Sequence, residues 1–199
     1  MEKIILASGS QRRKMLLTQA GIPFEVIPSE YDESEDMNSE VSPYDLVKTI
    51  STKKAVAVSE NLNEPAIIIS GDTVVSITGK IMGKPKTGEE AYKMLSLLQG
   101  KTHSVYTGST IIKKGAEGFE LRNIVDTTKV TMRRLTDDEI WSYIRTGEPF
   151  DKAGGYAIQE RGSLLISSIE GDYYNVVGLP LVKVYGVLTQ MGVKLHTMW

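Results

Sequence analysis

Apolar residues along the chain come in short runs that alternate between a period of two and a period near three and a half. Ile4, Ile5, Leu6 and Ala7 form a run that reads as a strand and stops at Ser8-Gly9-Ser10. Gln11 to Ala20 then reads as a helix carrying Met15, Leu16 and Leu17, ended by Gly21 and Pro23. Phe24 to Ile27 reads as a second strand, and the acidic stretch Asp32 to Glu40 as a loop. Ser42 and Pro43 are an N-cap and a first helical residue, and predict a helix to about Glu60. Ala66 to Ile69 has the continuous apolar character of a buried strand, and Thr73 to Ile77 continues extended to a turn at Thr78-Gly79. Thr87-Gly-Glu-Glu90 and Thr136-Asp-Asp-Glu139 are capping-box patterns that open helices through Leu98 and about Thr146. Between them lie two long β stretches, His103 to Lys113 and Phe119 to Met132, joined by a turn that suggests a hairpin. A Gly-rich loop over 147–163, a strand over 164–169 and a last helix from about Pro180 to Met191 complete the chain.

Alternating strands and helices with an inserted hairpin predict an α/β fold whose sheet is mixed, not purely parallel. With 199 residues and no Pro- or Ser-rich linker, one domain spanning 1–199 is expected, in two lobes. No apolar run approaches the roughly 20 residues of a spanning helix, and none resembles a signal peptide, so a cytoplasmic domain is expected.

Composition narrows the chemistry. The chain has no Cys, which excludes disulfides, zinc–thiolate sites and thiol nucleophiles, and only two His, at 103 and 196, which excludes a multi-histidine metal centre. Twenty-five acidic against 23 basic residues, a net charge of −2, argue against binding duplex nucleic acid by bulk electrostatics. A small anionic ligand would need a local gathering of cations.

Four segments could provide it. Ser8-Gly9-Ser10-Gln11-Arg12-Arg13 lies at a strand-to-helix junction, where free backbone N–H groups, hydroxyls and two Arg suit phosphate; Ser10 serves equally as a plain helix cap with both Arg solvated. In the 43–60 helix, Lys54 falls at about 80° inside an apolar stripe that runs from Leu46 to about 120°. It either snorkels to water or points inward at an anion. Ser70-Gly71-Asp72-Thr73 follows a buried apolar run, so Asp72 is placed at a strand end as a catalytic or metal-binding carboxylate, or as a turn former. The loop from Gly147 to Gln159 carries Glu, Asp, Lys, Tyr and Gln, and the Gln amide suits the edge of a pyrimidine base, unless the glycines only supply turns. His103 reads as a packed strand residue and Trp141 as core.

Together these segments resemble the Maf (septum-formation) family of nucleoside triphosphate pyrophosphatases from about residue 4 to residue 191. The matching stretches are Leu-Ala-Ser-Gly-Ser-x-Arg-Arg at 6–13, Asp-Glu at 32–33, Lys-Ala at 54–55, Gly-Asp-Thr-Val-Val at 71–75 and Gly-Lys-Pro at 83–85. They continue with Gly-Lys-Thr-His-x-Val at 100–105, Asp-Lys-Ala-Gly-Gly-Tyr at 151–156 and Gly-Asp-Tyr-Tyr-Asn-Val-Val-Gly-Leu-Pro-Leu at 171–181. Gln11 stands where Pro is common, Ser70-Gly71 replaces Gly-Ala, and Ala157 and Glu160 replace glycines flanking Ile158-Gln159.

The resemblance implies an elongated mixed β-sheet flanked by helices, with a cleft between two lobes, often as a homodimer. It implies hydrolysis of dTTP, UTP or modified pyrimidine triphosphates to the monophosphate and pyrophosphate, with a divalent cation, magnesium or manganese. By the same likeness Asp72 is the catalytic base, with Glu33 as its acidic partner for metal or water. Ser8, Ser10, Arg13, Lys54 and Lys84 hold phosphates, and Arg12, Thr73 and Gln159 select base and sugar. Two other functions stay open: a nucleotide-binding regulator of septum formation acting through a protein partner, and a pyrophosphatase editing 7-methyl-GTP or other purine triphosphates.

Overall fold

A computed structural model describes residues 2–37, 41–116 and 118–195; His196, Trp199 and the end of the acidic stretch at 38–40 lie outside them. The elements run β1 (Ile4–Leu6), α1 (Gln11–Gln19), β2 (Glu25–Val26), α2 (Ser34–Met37), α3 (Pro43–Glu60), β3 (Ala66–Ile77), β4 (Lys80–Met82) and α4 (Gly88–Leu98). They continue with β5 (Thr102–Lys114), β6 (Phe119–Met132), α5 (Asp137–Ile144), β7 (Ile166–Glu170), α6 (Tyr173–Val177) and α7 (Leu181–Gln190). Three short 3-10 turns, Glu148–Asp151, Ala153–Gly155 and Glu160–Leu165, occupy the segment expected to be loop.

Among the described residues, seven strands make one sheet in the order β2-β1-β3-β5-β6-β7, with β4 also on β3. It is mixed, as the alternating pattern predicts. β1 runs parallel to β2 and to β3, placing Ile5 opposite Glu25 and Ile68, whereas β3–β4 and β6–β7 are antiparallel.

The chain forms two compact units, one from Met1–Asp72, Thr107–Asp126 and Gly178–Trp199, the other from Thr73–Tyr106 and Thr127–Val177. In the first, Ala55 and Val58 of α3 close a core with Ile5, Ala7, Ala66, Ile68 and Ile112. α3 lies close to the sheet because Gly108 of β5 has no side chain: a Cβ there would stand 2.2 Å from the Val47 carbonyl oxygen. In the second unit, α4 contributes Ala91, Leu95 and Leu98, and α5 contributes Ile140, Tyr143 and Ile144, to a core with Val75, Val105, Val130 and Tyr156. α5 begins with the capping box expected at Thr136 and Glu139. Trp141 is half-buried and not fully core: it stacks on Tyr92 at 5.1 Å between centroids.

Three local expectations are corrected. The acidic stretch contains α2, because the Asp32 carboxylate accepts the Ser34 N–H at 2.9 Å and Lys53 of α3 donates to Asp36 at 2.8 Å. The last strand begins at Ile166, not 164, since the chain from Glu160 to Leu165 turns as a 3-10 helix. β4 and α6 are too short for periodicity to reveal, at three and five residues.

His103 is packed, as its strand setting predicts. It is 3% exposed, its Nε2 lies 2.6 Å from the Tyr156 hydroxyl, and burial pulls its pKa from 6.5 down to about 4. The unfolded chain therefore takes up a proton near pH 6.5 that the folded chain accepts only near pH 4. Stability should fall as the pH is lowered through that window, by up to about 3 kcal/mol, and level off below it. Urea unfolding across the window should give a flatter profile for His103→Gln; equal slopes in the two proteins would remove His103 as the cause.

Candidate active site

In a strand, alternate side chains share a face, and in β3 Ala66, Ile68, Ser70 and Asp72 meet α3. Ile68 packs on Ala55 and Val58. Two residues on, the buried Ser70 hydroxyl donates to the Ser51 carbonyl of α3 at 2.5 Å. Two further, Asp72 Oδ1 accepts from Lys54 Nζ at 2.9 Å. The expectation that Asp72 ends a strand is therefore corrected: Ala66–Ile77 is one continuous strand with Asp72 inside it. Ser70 and Gly71, which look like a turn in sequence, fit because Ser51 satisfies the hydroxyl and Gly71 makes room for a guanidinium.

That guanidinium belongs to Arg13. A Cβ at position 71 would stand 2.8 Å from Arg13 Nε. Arg13 is buried; its Nε donates to the Gly178 carbonyl at 2.8 Å and its Nη1 to Ser8 Oγ at 3.2 Å. Ser10 caps α1, its side chain accepting from the Arg13 N–H. Ser10 is a helix cap, as one reading of this junction has it, but Arg13 is buried and not solvated. Arg12 on the same helix is half-buried.

Lys54 has the inward direction that its place in the apolar stripe allows. Its ammonium lies 2.5 Å from Glu33 Oε2 as well as 2.9 Å from Asp72 Oδ1, with 17% of its side chain exposed. Two carboxylates from segments 39 residues apart thus converge on one cation. Burial pushes the Asp72 carboxyl above the usual carboxylate range, opposed by Lys54 and then Arg13, with Glu33 adding to the rise. Burial likewise pulls the Arg13 guanidinium down, against the charge of Asp72. A desolvated carboxylate fixed by a hydrogen bond from a lysine has raised basicity and a set position, which suit it to orient a water and take its proton. Among the described residues, no three His, Cys, Asp or Glu gather as a metal-binding group.

The remaining candidates belong to the second unit. Thr73 is half-buried and Lys84 exposed. Gly83, next to Lys84, accepts the Gly154 N–H at 2.9 Å, which ties the Lys84 segment to the Gly-rich stretch. Gln159 is half-buried with extended backbone, φ −99° and ψ 174°. Sequence reasoning gave no individual role to Gly178, whose carbonyl orients Arg13 across 165 residues. The only signal for it was its place in the matched stretch at 171–181.

The fold is thus a mixed α/β sheet in which Asp72 of β3 and Glu33, just before α2, share one lysine beside a buried arginine at a helix start. The chain belongs to the Maf family, whose Maf-like protein model matches residues 3–191. It is 48% identical over 186 residues to the dTTP/UTP pyrophosphatase of Thermoanaerobacter pseudethanolicus, covering 94% of this chain and 95% of that one. It is 47% identical over 193 residues to the dTTP/UTP pyrophosphatase of Bacillus cereus, covering 97% of each. In fold it is similar to a HAM1 protein from Coxiella burnetii, with a TM-score of 0.50 and 14% identity over 96% of this chain and 100% of that one.

Proposed function

We propose that this chain hydrolyses dTTP and UTP between the α and β phosphates, releasing the monophosphate and pyrophosphate. The observation that carries the proposal is Asp72, buried, raised in basicity and hydrogen-bonded to Lys54. A protein that only bound nucleotide would have no use for a costly buried carboxylate beside its phosphate-binding cations. Membership of the Maf family and relatives named dTTP/UTP pyrophosphatase support the reaction and the substrate.

In this mechanism Asp72 orients a water in line with the α phosphorus and receives its proton as the new P–O bond forms. The bond from the α phosphorus to the bridging oxygen breaks, and its electrons leave with pyrophosphate. Arg13 and Lys54 offset charge on the phosphate oxygens, with Lys84 and the Ser8 and Ser10 hydroxyls as further donors. Arg12, Thr73 and Gln159 select base and sugar.

Glu33 and Asp72 suit a divalent cation, because both already converge on the single positive charge of Lys54 and both are hard oxygen donors. Two carboxylates without a third protein ligand would fit magnesium or manganese, ions that tolerate few protein ligands when bound with a phosphate substrate. Such an ion would supply charge neutralisation and a more acidic water. The family resemblance further supports one functional domain over 1–199, acting in the cytoplasm as a homodimer. No helix among the described residues is long and apolar enough to cross a membrane.

A pyrophosphate-release screen over ordinary and modified triphosphates, with and without magnesium or manganese, tests the proposal. Release from dTTP and UTP that depends on the metal is expected. Preference for 7-methyl-GTP or ITP would make the protein a purine editor, and binding without release would make it a nucleotide-sensing regulator of septum formation.

A further inference from the structure

Gln159 sits in a short loop whose two ends meet. A Cβ on Gly162 would stand 2.2 Å from the Ala157 carbonyl oxygen and 2.8 Å from the Tyr143 hydroxyl, so residues 157 and 162 are in backbone contact. Two side chains from outside the loop hold both ends. The Tyr143 hydroxyl accepts the Ala157 N–H at 3.3 Å and donates to Glu148 Oε1 at 2.9 Å. The Glu148 carboxylate also accepts the Gly162 N–H at 2.9 Å and the Arg161 N–H at 3.3 Å.

The clamp is itself fixed. Tyr143 is 5% exposed and lies on the capped helix α5, and Glu148 is tied to the end of that helix through Thr146, whose hydroxyl accepts the Glu148 N–H at 3.2 Å and donates to the Tyr143 carbonyl at 2.6 Å. Burial and then the neighbouring Glu148 push the Tyr143 phenol well above its usual range, which keeps the hydroxyl protonated as a donor. Between the held ends, Glu160 adopts a left-handed φ of 55°. A non-glycine residue persists there only when its surroundings over-determine the backbone. A side chain bearing that strain beside Gln159 marks a loop whose shape is imposed from outside.

We propose that Tyr143 and Glu148 are positioning residues that close the 157–162 loop and so fix where Gln159 stands for base selection. The inference rests on the base-selecting role proposed above for Gln159. Its logic is chemical. Uracil and thymine present a carbonyl acceptor at position 4 and cytosine an amino donor, and a Gln amide that turns over can pair with either. Discrimination between them therefore needs an amide whose backbone does not drift. The other approach to the loop, Tyr156, is buried and held by His103, so slackening the clamp frees the Gln159 segment without releasing its neighbours.

The test uses the full chain and compares kcat and KM for UTP and CTP in Glu148→Gln, Tyr143→Phe and Gln159→Ala. Both clamp variants preserve the shape of the side chain, and melting temperature checks that each is folded. Each should lower the UTP-over-CTP preference about tenfold, through KM with kcat nearly unchanged. Combining Glu148→Gln with Gln159→Ala should lower it no further than Gln159→Ala alone, because the two act on one contact. A preference that falls in Gln159→Ala but is unchanged in both clamp variants would overturn the positioning role. If Gln159→Ala itself leaves the preference unchanged, the base-selecting role of Gln159 is wrong, and the clamp proposal falls with it.

Discussion

Replacing Asp72 with Asn should reduce turnover of dTTP and UTP by about 100- to 10,000-fold, the span attributed to a positioned general base, while KM changes far less. Asn keeps the size and planarity of the side chain, so the Lys54 ammonium still meets an oxygen at this position and Arg13 keeps its bonds to Gly178 and Ser8. What is lost is the ability to take a proton from water, together with one of the two anionic oxygens proposed to hold a divalent cation. Folding should be unharmed or improved, since burying a neutral amide costs less than burying the carboxylate that burial already pushes up. Steady-state pyrophosphate release with magnesium present checks the first expectation and thermal unfolding the second. Wild-type turnover in the Asn variant would falsify the assignment of the base.

How much of this could be read from the chain depended on whether the deciding contact was local. The start of α3 at Ser42-Pro43 and the capping box of α5 at Thr136 to Glu139 are local, because the capping groups lie within one turn, and both were legible. The inward phase of Lys54 was also legible, since it follows from 3.6 residues per turn; its two carboxylate partners were not, because they lie 21 and 18 residues away. Asp72 was misplaced at a strand end for the same reason. Ser70-Gly71 looks like punctuation until the Ser51 carbonyl and the Arg13 guanidinium fill the space around it. α2 escaped detection because it is only four residues long and depends on the Asp32 cap and on Lys53. The clamp on the Gln159 loop was likewise hidden: Tyr143 lies in the helix opened at Thr136 and Glu148 is one acid in a Gly-rich stretch, with no local pattern to pair them. What joins them is a fold in which Ala157 and Gly162 touch.

Lys54→Met separates packing from chemistry more cleanly than any other single change. Met fits the apolar stripe of α3, so the helix keeps its volume, yet Glu33 and the buried Asp72 lose the cation between them. Leaving a buried carboxylate without its partner should cost up to about 3 kcal/mol, the lower end of the range for broken buried pairs, because Arg13 still offsets part of the Asp72 charge. Turnover should fall about 100- to 1,000-fold, as for removal of one preorganised donor to a developing negative charge. The double variant Lys54→Met with Asp72→Asn separates the two roles. It no longer buries an unpaired charge at position 72, so most of the lost stability should return, while activity should stay at or below that of the weaker single variant. If Lys54 were only a structural residue, activity would recover with stability in a Lys54→Met protein rescued by a distant stabilising change. Unfolding free energies and turnover measured on the same preparations decide the matter, because a catalytic lysine requires the two quantities to part company.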